Sequence, residues 1–254
     1  MLRVERSGAF AIWTISRPEA KNALNLETLE LLSRAAEQAK SDPTLRAVVL
    51  TGAGDAFVSG GDLRELREKT SAHDAEIFAD AGARVCAALE SLPVPVIAAI
   101  PGPAFGGGAE LAVACDLRIA EPTAKISFKQ VRMGVTTAWG SIGRLVAIVG
   151  YSSAARLLYT GHEVLAASAL AMGLVDSVCE SGTCVPAALA WASDIAQGAP
   201  MAVAEMKALL RATRIDVGVH ERARFIATWS GPEHAEAMTA YFSRRPPPWT
   251  KPAP

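Results

Sequence analysis

An apolar run from Val94 to Ile100 continues as Pro101-Gly102-Pro103-Ala104-Phe105-Gly106-Gly107-Gly108-Ala109-Glu110. The apolar first part predicts a buried strand, and the pattern from Gly107 to Cys115 predicts a helix. A helix start presents unpaired N–H groups and the positive end of the helix dipole, and glycines let the backbone approach a ligand closely. The stretch therefore predicts a strand, a loop and a helix, with a loop that can hold a negatively charged oxygen.

A second glycine loop has the same character. Ala56-Phe57-Val58-Ser59-Gly60-Gly61-Asp62-Leu63 follows a predicted strand, Ala47 to Leu50, and its loop. A donor from Gly60-Gly61 would join Gly107 as a second N–H group aimed at one developing oxyanion. Taken singly, each glycine cluster is better explained as a tight turn.

Neither glycine loop matches a phosphate-binding fingerprint. The chain has no GxxxxGK[ST] motif, and Gly52-Ala-Gly54 lacks the third glycine of GxGxxG. Trp139-Gly140-Ser141-Ile142-Gly143 lacks the first glycine of the nucleophile elbow GxSxG. These absences argue against a P-loop, a dinucleotide site and a serine hydrolase.

Strands and helices alternate along the first two thirds of the chain, which predicts an α/β fold. Strands are expected at Phe10 to Ser16 and Asp116 to Ala120, and helices after the N-cap Asn25 and over 72–91. Alanine- and leucine-rich stretches at 151–172 and 186–212, and a periodic stretch at 219–242, predict helices. We expect a core over residues 1–195 and a helical C-terminal region over 196–254, which ends in a proline-rich tail.

Composition excludes several classes of protein. Hydrophobic residues make up 50% of the 254, which excludes a disordered or fibrous chain. The net charge of −1 argues against a general nucleic-acid binder. The four cysteines form no CxxC pair and the four histidines no ligand cluster, so we expect a reducing, cytoplasmic location and no metal site. The charged N-terminus and the lack of a long apolar run predict neither a signal peptide nor a membrane span.

The two loops, in this order and spacing, resemble those of the crotonase superfamily, also called the enoyl-CoA hydratase/isomerase family. The resemblance covers nearly the whole chain. Its other pieces are Arg17-Pro-Glu-Ala-Lys-Asn-Ala-Leu-Asn25, Cys115-Asp-Leu-Arg-Ile-Ala120, Thr160-Gly161, Ala171-Met-Gly-Leu-Val175 and Phe242-Ser-Arg-Arg-Pro246. It implies a spiral of ββα units with a helical C-terminal region and a homotrimer or homohexamer. It also implies an acyl-CoA thioester substrate, with coenzyme A as part of the substrate and no separate cofactor.

The resemblance also implies roles for particular residues. Two backbone N–H groups stabilise an enolate in this family, and they map onto Gly61 and Gly107. The family's coenzyme A contacts map onto Ala23, Ser59, Gly61 and Leu63, and onto Phe242 and Lys251 for the coenzyme of a neighbouring subunit.

Hydratases of the family use two glutamates, and this chain matches only the first. Glu110 follows the GGG loop, where it could transfer protons or simply favour the helix dipole. The second position, about twenty residues later, holds Gln130, and an amide neither takes nor delivers a proton near neutral pH. Gln130 is either a site residue that binds by hydrogen bonds or a merely polar lining residue.

The surrounding residues are most similar to the ethylmalonyl-CoA and methylmalonyl-CoA decarboxylase branch. That similarity lies in Met133-Gly-Val-Thr-Thr-Ala-Trp-Gly140, Arg144-Leu-Val146 and Thr228-Trp-Ser-Gly-Pro232. Loss of CO2 generates the enolate without a base, which suits one glutamate and a neutral Gln130. The favoured expectation is therefore decarboxylation of a short malonyl-CoA-type substrate. The alternatives are a hydratase or isomerase with an altered site and a non-catalytic acyl-CoA-binding protein.

Overall fold

The computed structural model describes residues 1–214, 216–247 and 249, and it has the expected α/β fold. A six-stranded sheet has the order β1-β2-β3-β4-β6-β9, parallel except for β1 against β2. A three-stranded sheet has the order β5-β7-β8. The strands are β1 Leu2–Ser7, β2 Phe10–Ile15, β3 Ala47–Gly52, β4 Val96–Ile100, β5 Ala104–Phe105, β6 Leu117–Ala120, β7 Lys125–Ser127, β8 Val164–Leu165 and β9 Ser177–Val178.

Ten α-helices lie in the described part of the chain. They are α1 Leu26–Lys40, α2 Leu63–Leu66, α3 Ala72–Ser91, α4 Gly107–Ala114, α5 Ser141–Thr160, α6 Ala166–Ala171, α7 Cys184–Ile195, α8 Pro200–Ala212, α9 Gly218–Trp229 and α10 Pro232–Phe242. Two 3-10 helices cover Pro18–Ala20 and Lys129–Met133. None of these helices is long and apolar enough to cross a membrane.

The central strands β3 and β4 of the large sheet are buried on both faces, which is why they are continuously apolar. Because successive side chains alternate between faces, Val48 and Leu50 enter the main core with α1, α3 and α4. Ala47 and Val49 enter a smaller core against α7 on the other face.

The two central strands position both glycine loops. The first loop follows β3 and the second follows β4, and the loops are hydrogen-bonded to each other where Phe105 N–H donates to Val58 O over 2.9 Å. Gly108 permits this approach, because a Cβ atom there would lie 2.1 Å from the Val58 carbonyl oxygen. The loops are therefore parts of one site although about fifty residues separate them.

The C-terminal helices differ from the continuous stretches expected from periodicity. The 186–212 stretch is interrupted before Pro200, and the 219–242 stretch before Pro232, because proline starts a helix readily but cannot continue one. The 151–172 stretch contains the end of α5, the short strand β8 and α6. Helix α9 packs on α3 and α5, and α10 packs on the Lys129–Met133 turn. The division at 195/196 stays a prediction.

Candidate active site

A cavity of about 1030 Å³ lies between the glycine loops and the C-terminal helices. The most deeply buried side chains of its lining include Glu110 and Trp139. Four basic residues of the lining are exposed to solvent and therefore lie at the mouth of the cavity, namely Lys21, Arg64, Arg132 and Arg244. A ligand with an apolar acyl end and an anionic phosphate end matches this distribution.

Gly61 and Gly107 both line the cavity, and each has a backbone N–H group without an acceptor among the described residues. Gly107 is the first residue of α4, so its N–H lies at the positive end of the helix. Gly61 lies beside Leu24, held by bonds from Leu24 N–H to Gly60 O and from Asp62 N–H to Leu24 O, both 2.8 Å. Two free donors on two rigid segments suit one oxyanion.

The indole of Trp139 fixes the start of α4. A Cβ atom built on Gly107 would lie 2.5 Å from the ring, and one built on Gly82 of α3 would lie 1.9 Å from it. Trp139 is 2% exposed and fills the space that both glycines leave. The ring therefore sets the distance between α3 and α4 and covers one side of Gly107.

Arg17 and Asn22 explain the motif near the N-terminus. The Arg17 guanidinium donates to Ala23 O over 2.6 Å and to the Asp62 carboxylate over 2.7 Å. Asn22, fully buried with φ 58°, donates to Ala53 O and Ala56 O. Burial opposes ionisation of Asp62, but Arg17 holds the pKa of this carboxyl below its ordinary value. These bonds hold the Ala23 segment against the first glycine loop.

Glu110 is almost completely buried and accepts four hydrogen bonds. Oε2 accepts from Ala138 N–H at 3.2 Å, Trp139 N–H at 2.9 Å and the Ser141 hydroxyl at 2.9 Å, and Oε1 accepts from Gln130 Nε2 at 2.7 Å. Burial and then the charge of Glu221 raise the pKa of Glu110 to about 7, against the effect of the bonds from Trp139, Ser141 and Gln130. A carboxyl with this pKa can both give and take a proton near neutral pH.

Gln130 lies on the Lys129–Met133 turn and binds Glu110 through its amide nitrogen. Its Oε1 is buried and has no hydrogen-bond partner among the described residues. An unpaired buried acceptor is costly, so it is suited to a donor that arrives with the substrate or as water.

Aromatic side chains form one wall of the cavity, and only Trp139 and Trp229 among them lie in the motifs quoted from the sequence. The ring centroid of Phe78 lies 5.7 Å from that of Trp139 and 6.1 Å from that of Trp229. The ring centroid of Trp229 lies 5.2 Å from that of Phe225 and 4.6 Å from that of His234. Burial lowers the pKa of His234, which favours the neutral ring.

Two further polar residues were also missed, Ser141 and Glu221. A signal for Glu221 exists in the sequence, because Glu221, Phe225 and Trp229 are spaced by four and so share the buried face of α9. A glutamate on an otherwise aromatic helix face indicates a site rather than solvent exposure.

The structure brings eight of the nine predicted site residues to this cavity. They are Ala23, Ser59, Gly61, Leu63, Gly107, Glu110, Gln130 and Phe242. Phe242, expected at a neighbouring subunit's coenzyme, lines the cavity of its own chain, with Arg67 4.7 Å above its ring. Lys251 lies outside the described residues. Within those residues, no group of three His, Cys, Asp or Glu side chains is arranged to hold a metal ion.

The fold and the paired glycine loops define the class of protein as an enzyme of the crotonase superfamily. The family model described as enoyl-CoA hydratase/isomerase matches residues 5–252, and the chain belongs to this family. It is 36% identical to the short-chain-enoyl-CoA hydratase of Clostridium acetobutylicum, over 95% of this chain and 94% of that protein. It is 35% identical to the crotonyl-CoA hydratase of Syntrophomonas wolfei, over 95% of each chain.

Solved structures share the fold. An enoyl-CoA hydratase from Mycobacterium avium subsp. paratuberculosis superposes with a TM-score of 0.86 at 26% identity, covering 94% of this chain and 98% of that one. DspI of Pseudomonas aeruginosa superposes with a TM-score of 0.81 at 32% identity, covering 98% and 96%.

Proposed function

We propose that this enzyme decarboxylates a short malonyl-CoA-type thioester through an enolate held by Gly61 and Gly107. The observation that carries the proposal is the pair at the reacting centre, one carboxyl with a pKa near 7 beside a neutral amide, Glu110 and Gln130. Coenzyme A enters as part of the substrate, and its phosphates meet the cations at the cavity mouth.

The reaction needs an electron sink before it needs a base. When the bond between the α-carbon and the carboxylate breaks, CO2 leaves and the electron pair passes into the thioester as an enolate. The N–H groups of Gly61 and Gly107 donate to the enolate oxygen, where preorganised donors are most effective. Protonated Glu110 then delivers its proton to the α-carbon, which gives the saturated acyl-CoA.

The neutral Gln130 favours this reaction over a two-glutamate hydration. A second carboxylate would repel the carboxylate of a malonyl-type substrate strongly in a buried site. The aromatic wall of Phe78, Trp139, Phe225 and Trp229 gives the substrate carboxylate no ion-pair partner, which favours its loss as neutral CO2.

Hydration of a short enoyl-CoA is the second candidate. The two curated relatives above carry hydratase names, and the unpaired Oε1 of Gln130 supports it. A water that donates to this oxygen and to Glu110 Oε1 would be held by the pair, and ionised Glu110 would take its proton. One carboxylate would then serve where the family's hydratases use two.

A substrate panel separates these reactions. The protein is incubated with ethylmalonyl-CoA, methylmalonyl-CoA and crotonyl-CoA, while CO2 release and loss of the enoyl absorbance are followed. We expect CO2 release from one of the first two substrates to be the faster reaction. Rapid hydration of crotonyl-CoA without CO2 release overturns decarboxylation in favour of the second candidate. Tight acyl-CoA binding without any turnover overturns both and indicates a binding protein.

We also propose that the chain forms a homo-oligomer. Helix α8 carries large apolar side chains that are more than 60% exposed, namely Met201, Met206, Leu209 and Leu210. A patch of this kind is typical of a protein interface. Light scattering tests it, and a monomer at micromolar concentration contradicts it.

A further inference from the structure

The hydroxyl of Ser141 lies between two buried carboxylates. Its Oγ is 2.9 Å from Glu110 Oε2 and 3.1 Å from Glu221 Oε1. Ser141 is fully buried, and both glutamates are 3% exposed. A hydroxyl has one proton and can donate to only one of two acceptors. Two ionised carboxylates would therefore leave one oxygen–oxygen contact without a proton.

Glu221 occupies a position suited to a negative charge. Its Oε1 also accepts from Ser141 N–H at 3.1 Å, and its Oε2 accepts from Ile142 N–H at 3.2 Å. These are the first two N–H groups of α5, where the helix dipole favours an anion. Glu110 has its own two backbone donors, Ala138 and Trp139. Each carboxylate is thus anchored on one side and faces the same hydroxyl on the other.

We propose that Glu110, Ser141 and Glu221 share a single extra proton, so that Glu221 acts as a positioning residue that supplies Glu110 with its proton through the Ser141 hydroxyl. In one arrangement, Glu110 is the acid, its O–H donates to Ser141 Oγ, and Ser141 donates to ionised Glu221. In the other, the proton is on Glu221 and both hydrogen bonds reverse. Each of the two contacts of Ser141 Oγ carries a proton in both arrangements.

The shared proton gives the cluster a function in turnover. When Glu110 has given its proton to a substrate carbon, a proton held on Glu221 passes to Ser141 Oγ as the Ser141 proton passes to Glu110. Glu110 is then neutral again, Glu221 is ionised, and one proton has moved from one carboxyl to the other. This consequence rests on the proposed acid–base role of Glu110, whereas the shared proton itself does not.

The other groups that face Glu110 neither take up nor supply the shared proton. Arg144 on α5 is committed to Glu90, at 2.8 and 2.6 Å, and to the Trp139 carbonyl oxygen. Cys86 on α3 stays a thiol, because burial raises its pKa. The neutral amide of Gln130 lies on the remaining side. The like charge of Glu221 is one of the causes that raise the pKa of Glu110.

The first test uses the unliganded wild-type protein. Glutamates are labelled with carbon-13 at the side-chain carboxyl, and their NMR shifts are followed against pH, with Glu110 and Glu221 assigned from Glu→Gln variants. Because Glu110 is linked to a second carboxyl through Ser141, we expect the Glu110 resonance to change in two separated steps rather than one. A Glu110 curve with a single step overturns the proposal, and this result needs no variant to fold beyond the assignment.

Two variants then separate the charge from the hydroxyl. Glu221→Gln removes the second carboxylate, and we expect Glu110 to titrate in one step, about one pH unit below the upper step of the wild type. Ser141→Ala keeps both carboxylates and removes the hydroxyl that stabilises the singly protonated state, so the two steps should move closer together. Glu121→Gln, at a buried glutamate beside Cys184, is the matched control and should leave the Glu110 curve unchanged. An unmoved Glu110 curve in Glu221→Gln contradicts the proposal.

The catalytic consequence has a separate readout. With whichever substrate the panel identifies, Glu221→Gln should shift the pH profile of kcat to lower pH by the same amount as the NMR curve and leave KM nearly unchanged. Agreement of the two shifts supports the supply of protons to Glu110. An NMR shift without a kcat shift retains the shared proton but overturns its role in turnover. Failure of the whole substrate panel overturns the proposed reactions and leaves the NMR result standing.

Discussion

The amide nitrogen of Gln130 donates to Oε1 of Glu110 across 2.7 Å, while the amide oxygen of Gln130 has no partner in the described residues. A neutral amide thus occupies the position that corresponds to the second glutamate of the family's hydratases, and Glu110 is the carboxyl group that it contacts. Because an amide holds a ligand but transfers no proton, Glu110 is the member of this pair that can take part in proton transfer.

Replacing Gln130 by glutamate tests this asymmetry. Gln130→Glu places a second carboxylate beside Glu110, so we expect hydration of crotonyl-CoA to rise relative to decarboxylation, at least about tenfold in the ratio of kcat/KM values. Both rates are measured on the same protein preparation. Gln130→Met, of similar length and without hydrogen bonds, is the control and should not raise hydration. A Gln130→Glu enzyme with an unchanged ratio contradicts the role given to this position.

Removing the acid at Glu110 should slow turnover without weakening binding. Glu110→Gln keeps the length of the side chain but removes its exchangeable proton, so kcat should fall by about 10²- to 10⁴-fold. Binding of coenzyme A, measured by calorimetry, should stay within about twofold, because the cations that meet the phosphates are at the mouth of the cavity. Unchanged turnover means that Glu110 is a structural residue.

The pH dependence of kcat distinguishes the two candidate reactions. The pKa of Glu110 lies at about 7, raised by burial and by Glu221 from an ordinary 4.5. Decarboxylation uses the protonated acid to deliver a proton, so kcat should be constant at low pH and fall as pH rises through about 7. Hydration uses the ionised form as a base, so its kcat should rise over the same interval. A profile that is flat from pH 5 to 9 contradicts acid–base use of Glu110 in either reaction.

Two variants that press on the Trp139 ring from opposite sides distinguish the packing of this ring from the geometry of the oxyanion donors. Gly107→Ala and Gly82→Ala both put a methyl group into the indole, at 2.5 and 1.9 Å, so each should cost about 1–3 kcal/mol in the free energy of unfolding. Gly107→Ala keeps the N–H group but shifts the backbone that carries it, whereas Gly82 carries no donor, so Gly107→Ala should lose more kcat than Gly82→Ala, by up to about 10²-fold. Urea unfolding and kcat are measured for both variants. Equal losses of kcat would mean that Trp139, and not the N–H of Gly107, controls the rate.

Loss of the Arg17 guanidinium is expected to change KM more than kcat. Its guanidinium bridges Ala23 O and Asp62, and lysine cannot reproduce that two-sided geometry. Arg17→Lys should therefore raise KM for the acyl-CoA about tenfold, by loosening the Ala23 segment, with kcat changed less than about threefold. Arg34→Lys, at an exposed pair with Glu30, is the control. A loss confined to kcat contradicts this assignment.

The elements that depend on local pattern can be predicted from the amino-acid sequence alone. The apolar strand before Pro101 and the glycine-started helix through Glu110 are readable because hydrophobic periodicity and backbone freedom act over a few residues. Strand β1 was not predicted, because this charged and mostly exposed edge strand has no apolar face. The breaks before Pro200 and Pro232 were missed although the prolines are visible, because apolar periodicity continues across them.

The contacts between distant polar groups cannot be predicted from local pattern, because they form only when the helices pack. Eighty residues separate Ser141 from Glu221, and thirty-one separate it from Glu110, yet all three lie within hydrogen-bond distance. That meeting depends on how α4, α5 and α9 pack, and packing depends on the shapes of many side chains at once. The pKa of Glu110 follows from the same packing, since burial and the charge of Glu221 raise it. The residue types were therefore readable from the chain, whereas their protonation was set by the neighbours that folding brought to them.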